Sequence, residues 1–378
     1  AKEWQVGLAI IGPEAPLEKG LANALWQVPI PTIGPKQKSA RIETSKSFAR
    51  DLMQKYNIPG SPRYQVFHDM NGVETFLHEL GENGYVIKAN GLMGGKGVKV
   101  AGEHLHSFAE ALAYCDEIFG RMQPVIIEEK LIGQEFSLMC FCDGTHLVPM
   151  PVVQDHKRAY VGDKGPNTGG MGSYSDTNHR LPFLTDADMQ AAMEINQAVI
   201  NALFTETREK YIGVLYGSFI ATRQGVQVIE FNARFGDPEA LNILTILESD
   251  LVAICQALIT GNLSTELVRF TPQATVCKYA VPEGYPDTPA QNVEITICAV
   301  KNKSCLYLSS VNAIDGKIYT AGSRTAAYVG VADSISAAES IAEKEICAID
   351  GPLFHRADIG TDQLIRQRID VMRELREE

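Results

Sequence analysis

Residues 85–100 read Tyr85-Val-Ile-Lys88-Ala-Asn90-Gly91-Leu-Met93-Gly94-Gly95-Lys96-Gly97-Val-Lys-Val100, and no other stretch limits the fold as sharply. Apolar residues flank the glycines on both sides, which predicts a strand, a glycine loop and a second strand. A Walker-type loop is excluded, because no Ser or Thr follows Lys96 and a strand, not a helix, comes next. In such a flap, backbone N–H groups can approach phosphate oxygens closely, while Lys88 and Lys96 supply charge. A plain glycine-rich hairpin is the other reading of these residues taken alone.

Three further segments interrupt apolar patterns with chemistry. In Val228-Ile-Glu230-Phe-Asn232-Ala-Arg234-Phe-Gly-Asp237-Pro-Glu239, strand periodicity puts Glu230 and Asn232 on one face and Phe231 on the other. A carboxylate and an amide oxygen so placed suit Mg²⁺, a hard ion that takes few protein ligands. Arg234 lies just beyond, where it can stabilise charge on a transferring phosphoryl group. The alternative is a solvated strand edge followed by a turn. A polar, glycine-rich stretch over 154–178, without periodicity, predicts a long loop. It carries a local cationic cluster of His156, Lys157 and Arg158, then Asn167, Thr168, Gly169 and Gly170. His156 reads as a structural or anion-contacting histidine rather than a general base. The fourth segment places exposed acids Glu128 and Glu129 at a strand end beside Lys130 and Leu131, with Glu135 following, which could hold an adenosine.

At 378 residues the chain is long enough for two or three domains. Its 34 basic against 46 acidic residues make general nucleic-acid backbone binding improbable, leaving small anions held by local clusters. No run of apolar residues is long enough for a membrane span, and no secretory signal is visible. Eight cysteines without a C-x-x-C pair read as reduced thiols of a cytoplasmic protein, not zinc ligands or disulfides.

Elsewhere the pattern predicts a buried strand over 6–11, a helix over 17–27 and a helix over 44–56. A capping box at Ser107 and Glu110 opens a helix ending at Gly120. Strands are expected over 125–129, 136–142 and 146–152, a helix from Thr185, and a hairpin of 214–222 with 226–231. One helix over 239–260 precedes strands near 274–281, 293–300, 304–310 and 324–332 and a helix near 334–349.

These segments, in this order, resemble the ATP-grasp superfamily and, within it, the phosphoribosylamine–glycine ligase family. The specific matches are Gln154-Asp155-His-Lys-Arg158 with Gly165-Pro-Asn-Thr-Gly-Gly-Met-Gly172, and Arg234-Phe-Gly-Asp-Pro-Glu239. Further matches are Gly12-Pro-Glu14, Ser45-Lys46, Tyr319-Thr-Ala-Gly-Ser-Arg324 and Arg356-Ala-Asp-Ile-Gly360. The resemblance implies α/β and α+β architecture. Its parts are the remainder of an N-terminal α/β domain (1–43), an ATP-grasp domain (44–265, with a glycine-loop lid in 62–130) and a C-terminal α+β domain (266–378). It implies a chain that begins partway through the N-terminal domain, without the family's opening βα unit. It further implies ATP phosphates on Lys88, Gly94, Gly95, Lys96 and Gly97, and an adenine hinge at Glu128, Glu129, Lys130 and Leu131 with Glu135 near the ribose. Mg²⁺, or Mn²⁺, is implied on Glu230 and Asn232. Glycine and phosphoribosylamine would meet Glu14, Asp155, His156, Lys157, Arg158, Asn167, Thr168, Gly169, Gly170, Arg234 and Asp237, with Arg234 and Lys96 catalytic.

The implied reaction joins glycine to phosphoribosylamine through a glycyl phosphate in purine biosynthesis, by a monomer or weak homodimer. The alternatives are a ligase for another acid and amine, or an ATP-binding homologue with impaired ligation. The chain departs from the family pattern in having Asn90 for aspartate, Met93-Gly94 for two alanines, Ala240-Leu241 for Thr-Gln and Ser323 for glycine.

Overall fold

Two long runs of apolar residues, too regular to be loops, build the sheet on which the rest depends. In the computed structural model, which describes residues 3, 5–92 and 97–377, strand Gln134–Asp143 pairs antiparallel with Ile212–Thr222. Strand Gly225–Asn232 flanks it through a tight turn, and Leu147–Pro149 closes the other edge. Helix Asp186–Thr207 lies against this sheet, started by a reciprocal cap between Thr185 and Asp188. Its Val199, Ile200 and Leu203 are buried in the main core.

A second four-stranded sheet forms the lid, in the order Tyr64–Phe67, Val125–Glu129, Tyr85–Ala89, Val98–Val100. Helices Val73–Leu80 and Phe108–Gly120 cover it, and Phe67, Leu77, Ile87, Cys115 and Ile127 make a core of its own. The strands on either side of the glycine-rich segment therefore pair antiparallel, with Lys88 opposite Val98. The third sheet runs Leu306–Leu308, Ala326–Ala332, Ala274–Pro282, Gly172–Ser175, Gln154–Asp155.

The stretch 154–178 is not an irregular loop. It supplies two strands to the third sheet and a small hairpin, Arg158–Tyr160 with Lys164–Asn167. Strand Gly172–Ser175 is buried although it is polar, because side-chain amides substitute for water: Asn242 Nδ2 donates to the Ser173 carbonyl (3.3 Å) and to Thr275 Oγ1 (3.0 Å). The expected strand over 6–11 shrinks to Ala9–Ile10, and Ile10 is 46% exposed. The expected helix over 17–27 breaks at Gly20, whose φ of +76° ends one helix and starts the next. That over 239–260 breaks into Glu239–Thr245 and Leu251–Thr260, because Asp250 caps Val252 and Ala253. At Ser107 only half of the box forms: Ser107 accepts from Glu110 N–H, but Glu110 turns back to His106 N–H (2.7 Å). Helices Gln37–Thr44 and Asp362–Glu377 and the hairpin Val311–Ile314 with Lys317–Ala321 add to the expected elements. All eight cysteines are free, five of them buried. No helix among the described residues is long and apolar enough to cross a membrane.

Candidate active site

Lid, central sheet and third sheet meet around one cleft of about 1060 Å³. At its lid side, Glu128 follows three buried apolar residues on the strand Val125–Glu129 and is 4% exposed. Its carboxylate accepts from Arg50 Nε (2.7 Å) and Nη2 (2.9 Å) and pairs with Lys88 Nζ (2.7 Å). Arg50 comes from helix Lys46–Lys55 and also donates to the carbonyls of Val228 (3.0 Å) and Ile229 (2.8 Å). Lys88 reaches the Ile229 carbonyl as well (3.1 Å). One buried ionic knot thus joins the lid, the helix and the strand that carries Glu230.

Glu128 is consequently not the exposed adenosine contact that its position suggested. Glu129 is likewise engaged, accepting from Arg63 N–H (2.7 Å). Lys130, Leu131 and Glu135 line the cleft nearby, with Lys130 Nζ donating to the Ala101 carbonyl (3.0 Å). Met93, Gly94, Gly95 and Lys96 fall outside the described residues, so the loop tip is represented by its base. There, Asn90 Oδ1 accepts from Ser47 N–H (3.3 Å) and Lys46 Nζ donates to the Gly91 carbonyl (2.8 Å). Gly97, on the loop's far side, lines the cleft.

Burial alone would raise the Glu128 carboxyl, but Arg50 and Lys88 outweigh it and hold it at about 2, below the usual 4.5. The unfolded chain takes up this proton near pH 4.5 and the folded chain only near 2. The stability tied to Glu128 is therefore complete above 4.5 and lost as pH falls to about 2, roughly 3 kcal/mol in all. Urea denaturation followed from near pH 5 downward is expected to show that loss, and Glu128→Gln to flatten it. An unchanged slope in the variant would refute this origin.

Across the cleft, Glu230 and Asn232 are half-buried on the same side of their strand while Phe231 is buried behind them. Glu230 meets no hydrogen-bond donor among the described residues. Its carboxyl would be raised by burial, but Lys157, Lys88, Lys46 and Arg234 more than offset this and keep it ionised. An unbonded carboxylate beside an amide oxygen fits a hard divalent ion. Arg234 follows, paired with Glu43 (3.0 Å) and Glu14 (3.3 Å) and donating to the Phe235 carbonyl (3.1 Å). Burial lifts the Glu43 carboxyl to about 7 despite Arg234, while its other oxygen accepts from Ala233 N–H (2.8 Å).

The third wall is the segment 155–170. Asp155 Oδ1 accepts from His156 N–H (2.7 Å), and burial together with Glu239 raises its carboxyl. Thr168 folds the segment back, donating twice to the Lys157 carbonyl (2.7 and 2.8 Å), and Asn167 pairs with Arg158 across the small hairpin. Arg324 clamps the far end: it donates to the Gly169 carbonyl (2.7 Å) and Asp237 (2.8 Å) and lies over the Tyr279 ring (4.4 Å). Tyr279 donates to the other oxygen of Asp237 (2.9 Å).

The grouping of His156, Lys157 and Arg158 as one cationic cluster does not survive. His156 is buried, and burial with Arg356 and Arg368 pushes its pKa down to about 3, so it is neutral at pH 7. Neither ring nitrogen finds a partner among the described residues. Arg158 turns instead toward Glu103 and His104 on the lid. Lys157 faces Glu135 (3.7 Å), and both it and Arg158 line the cleft. Arg50 and Glu43 line the cleft without having been singled out in the sequence, and Arg324, there only the end of a matching motif, was given no role. For Arg50 a signal existed, since it stands among Phe48, Ala49, Leu52 and Met53 on an otherwise apolar helix face.

A lid sheet facing an acid–amide strand across one cleft is the arrangement of the ATP-grasp class, and solved structures share the fold. The biotin carboxylase domain of the Hydrogenobacter thermophilus 2-oxoglutarate carboxylase, solved with MgADP and bicarbonate, superposes with a TM-score of 0.70 at 15% identity, covering 99% of this chain and 79% of that one. More specifically, models of the phosphoribosylglycinamide synthetase N domain, ATP-grasp (A) domain and C domain match residues 1–43, 44–240 and 275–362. The chain belongs to that family. It is 49% identical to the phosphoribosylamine–glycine ligase of Methanosarcina barkeri over 376 residues, covering 100% of this chain and 86% of the relative. The corresponding ligase of Methanothermobacter thermautotrophicus is 47% identical over 383 residues, 100% of this chain and 87% of that one. The crystal structure of the Thermotoga maritima ligase superposes with a TM-score of 0.77 at 30% identity, over 86% of this chain and 81% of that one.

Proposed function

We propose that the chain is an ATP-dependent carboxylate–amine ligase joining glycine to 5-phosphoribosylamine, with release of ADP and phosphate. The observation that carries the reading is the convergence of Lys88, Glu230, Asn232 and Arg234 on one cleft whose third wall is the family-specific segment 155–170. The γ-phosphoryl group of ATP passes to the glycine carboxylate, and the phosphoribosylamine nitrogen then attacks the acyl phosphate. The amine is already a competent nucleophile, so positioning and charge stabilisation suffice. Lys88 meets the nucleotide phosphates, and Lys96, with Gly94, Gly95 and Gly97, covers them from the loop. The backbone at 129–131 and the Leu131 side chain flank the adenosine, with Glu135 near the ribose. Glu230 and Asn232 would hold Mg²⁺ or Mn²⁺, which spreads the negative charge of the migrating phosphoryl group. Arg234 adds a fixed cation on the same side. Asp155, Lys157, Thr168, Gly169, Gly170 and Asp237 form the acceptor wall, and the neutral His156 shapes it. Exclusion of water from this cleft protects the acyl phosphate from hydrolysis.

ADP release is expected only when glycine and phosphoribosylamine are both present with ATP and Mg²⁺. Equal release with a different acid–amine pair, or nucleotide binding without turnover, would overturn the assignment.

The acceptor wall yields a prediction of its own. Gly170 has φ +106°, and a Cβ there would lie 2.5 Å from Pro238 Cδ and 2.8 Å from Asp155 Oδ1. Gly170→Ala must displace the segment, and is expected to lower kcat/KM for glycine roughly tenfold while leaving ATP affinity within about twofold. A variant with unchanged glycine kinetics would remove this segment from the acceptor site.

A further inference from the structure

Helix Ile335–Ile346 ends with Cys347 as its C-cap, and the chain returns past this end at His355. Glu343 and Cys347 are four residues apart, so both side chains leave the helix on one face. Glu343 Oε1 lies 3.0 Å from His355 Nε2 and 3.6 Å from Cys347 Sγ, and that sulfur is 4.0 Å from the same imidazole nitrogen. Three donors bound at about 2.0–2.3 Å around a tetrahedral ion would be separated by roughly 3.3–3.6 Å. The observed triangle therefore needs adjustments of no more than about half an ångström. None of the three residues lines the ATP cleft.

The charge balance also suits a cation. Lys278 is fully buried and donates to Glu339 and Glu343, one positive charge between two negative ones. Its contact is with Oε2 of Glu343, which also lies 3.1 Å from His355 Nε2, while Oε1 faces both the cysteine and the histidine. Deprotonating Cys347 would bring the local charge to about minus two, which a divalent ion neutralises. Cys347 is exposed and the other two are partly so, leaving an entry path and room for a water as fourth ligand.

We propose that Glu343, Cys347 and His355 form a site for a borderline-soft divalent ion of the Zn²⁺ type, separate from the nucleotide metal. On binding, the ion gains a thiolate, an imidazole and a carboxylate ligand, and the thiol proton passes to solvent.

Cobalt is the probe, because a thiolate ligand gives Co²⁺ a near-ultraviolet charge-transfer band that oxygen ligands at Glu230 and Asn232 cannot produce. The full chain, stripped with a chelator, is expected to develop that band with saturation at one equivalent and to lose it when Zn²⁺ is added. Cys347→Ser should abolish the band, and His355→Ala should weaken Co²⁺ binding at least roughly tenfold. As a check that needs no variant, Zn²⁺ should slow alkylation of Cys347 in the unaltered chain without slowing that of exposed Cys298. Absence of the band, its persistence in Cys347→Ser, affinity within threefold of the parent in His355→Ala, or Zn²⁺-independent alkylation of Cys347 would each overturn the site.

Discussion

Arg234→Ala is expected to lower kcat for ADP release by about 10²–10³, the loss typical of removing one preorganised charge from a transferring group. Arg234 is held on three sides, by Glu43, by Glu14 and by the Phe235 carbonyl, so its guanidinium is fixed before substrate arrives. A lysine has a single donor point and cannot satisfy that set, so Arg234→Lys should recover no more than about tenfold. ATP affinity should hardly change, because Lys88 stands on the lid strand Tyr85–Ala89 and keeps its own partners, Glu128 and the Ile229 carbonyl, when Arg234 is removed. Initial rates with both substrates saturating, read beside a melting curve, decide the matter. A loss below about tenfold in a folded variant would take Arg234 out of the transfer step.

Arg50→Met should cost roughly 3–5 kcal/mol of stability, the penalty for leaving a buried charge with part of its partnership gone. Glu128 would keep only Lys88, and the carbonyls of Val228 and Ile229 would lose their guanidinium donor. The loss should reach the lid too, since Arg50 fastens the lid strand to the strand that carries Glu230. With Glu128→Gln in the same chain the losses should be less than additive, because the Arg50–Glu128 pair can be lost only once, although Lys88 is then left without its carboxylate. Equilibrium urea curves for the parent, both single variants and the double variant test this. Additive losses would show that the pair is not coupled and would refute the explanation.

The features that were legible in advance are local ones. The hairpin turning between Thr222 and Gly225, the cap at Thr185 with Asp188, and the helix stop at Gly120 depend on residues within a few positions of each other. Likewise the shared face of Glu230 and Asn232 follows from the two-residue period of any strand. The errors have the opposite character. Glu128 looked like an exposed acid because its burial is set by Arg50, 78 residues away in sequence, and by a lysine on the neighbouring strand. The segment 154–178 looked irregular because its strands are two to four residues long, and the backbone groups of Gly172–Ser175 are met by Asn242 and by sheet partners beyond residue 270. No periodicity within the segment could report those partners.

From its own order of residues the chain determined where strands and helices begin, that a glycine loop joins two strands, and which side of the 225–232 strand carries an acid and an amide. Tertiary structure alone decided which of the many charges are neutralised and which remain for a ligand. It turned Arg158 to the lid, buried His156 in a neutral form, tied Glu128 to Arg50, and left Glu230 unbonded among cations. The reason is physical: backbone preferences act over a few residues, whereas the state of a charge depends on the solvent and partners that the packing of distant segments removes or supplies.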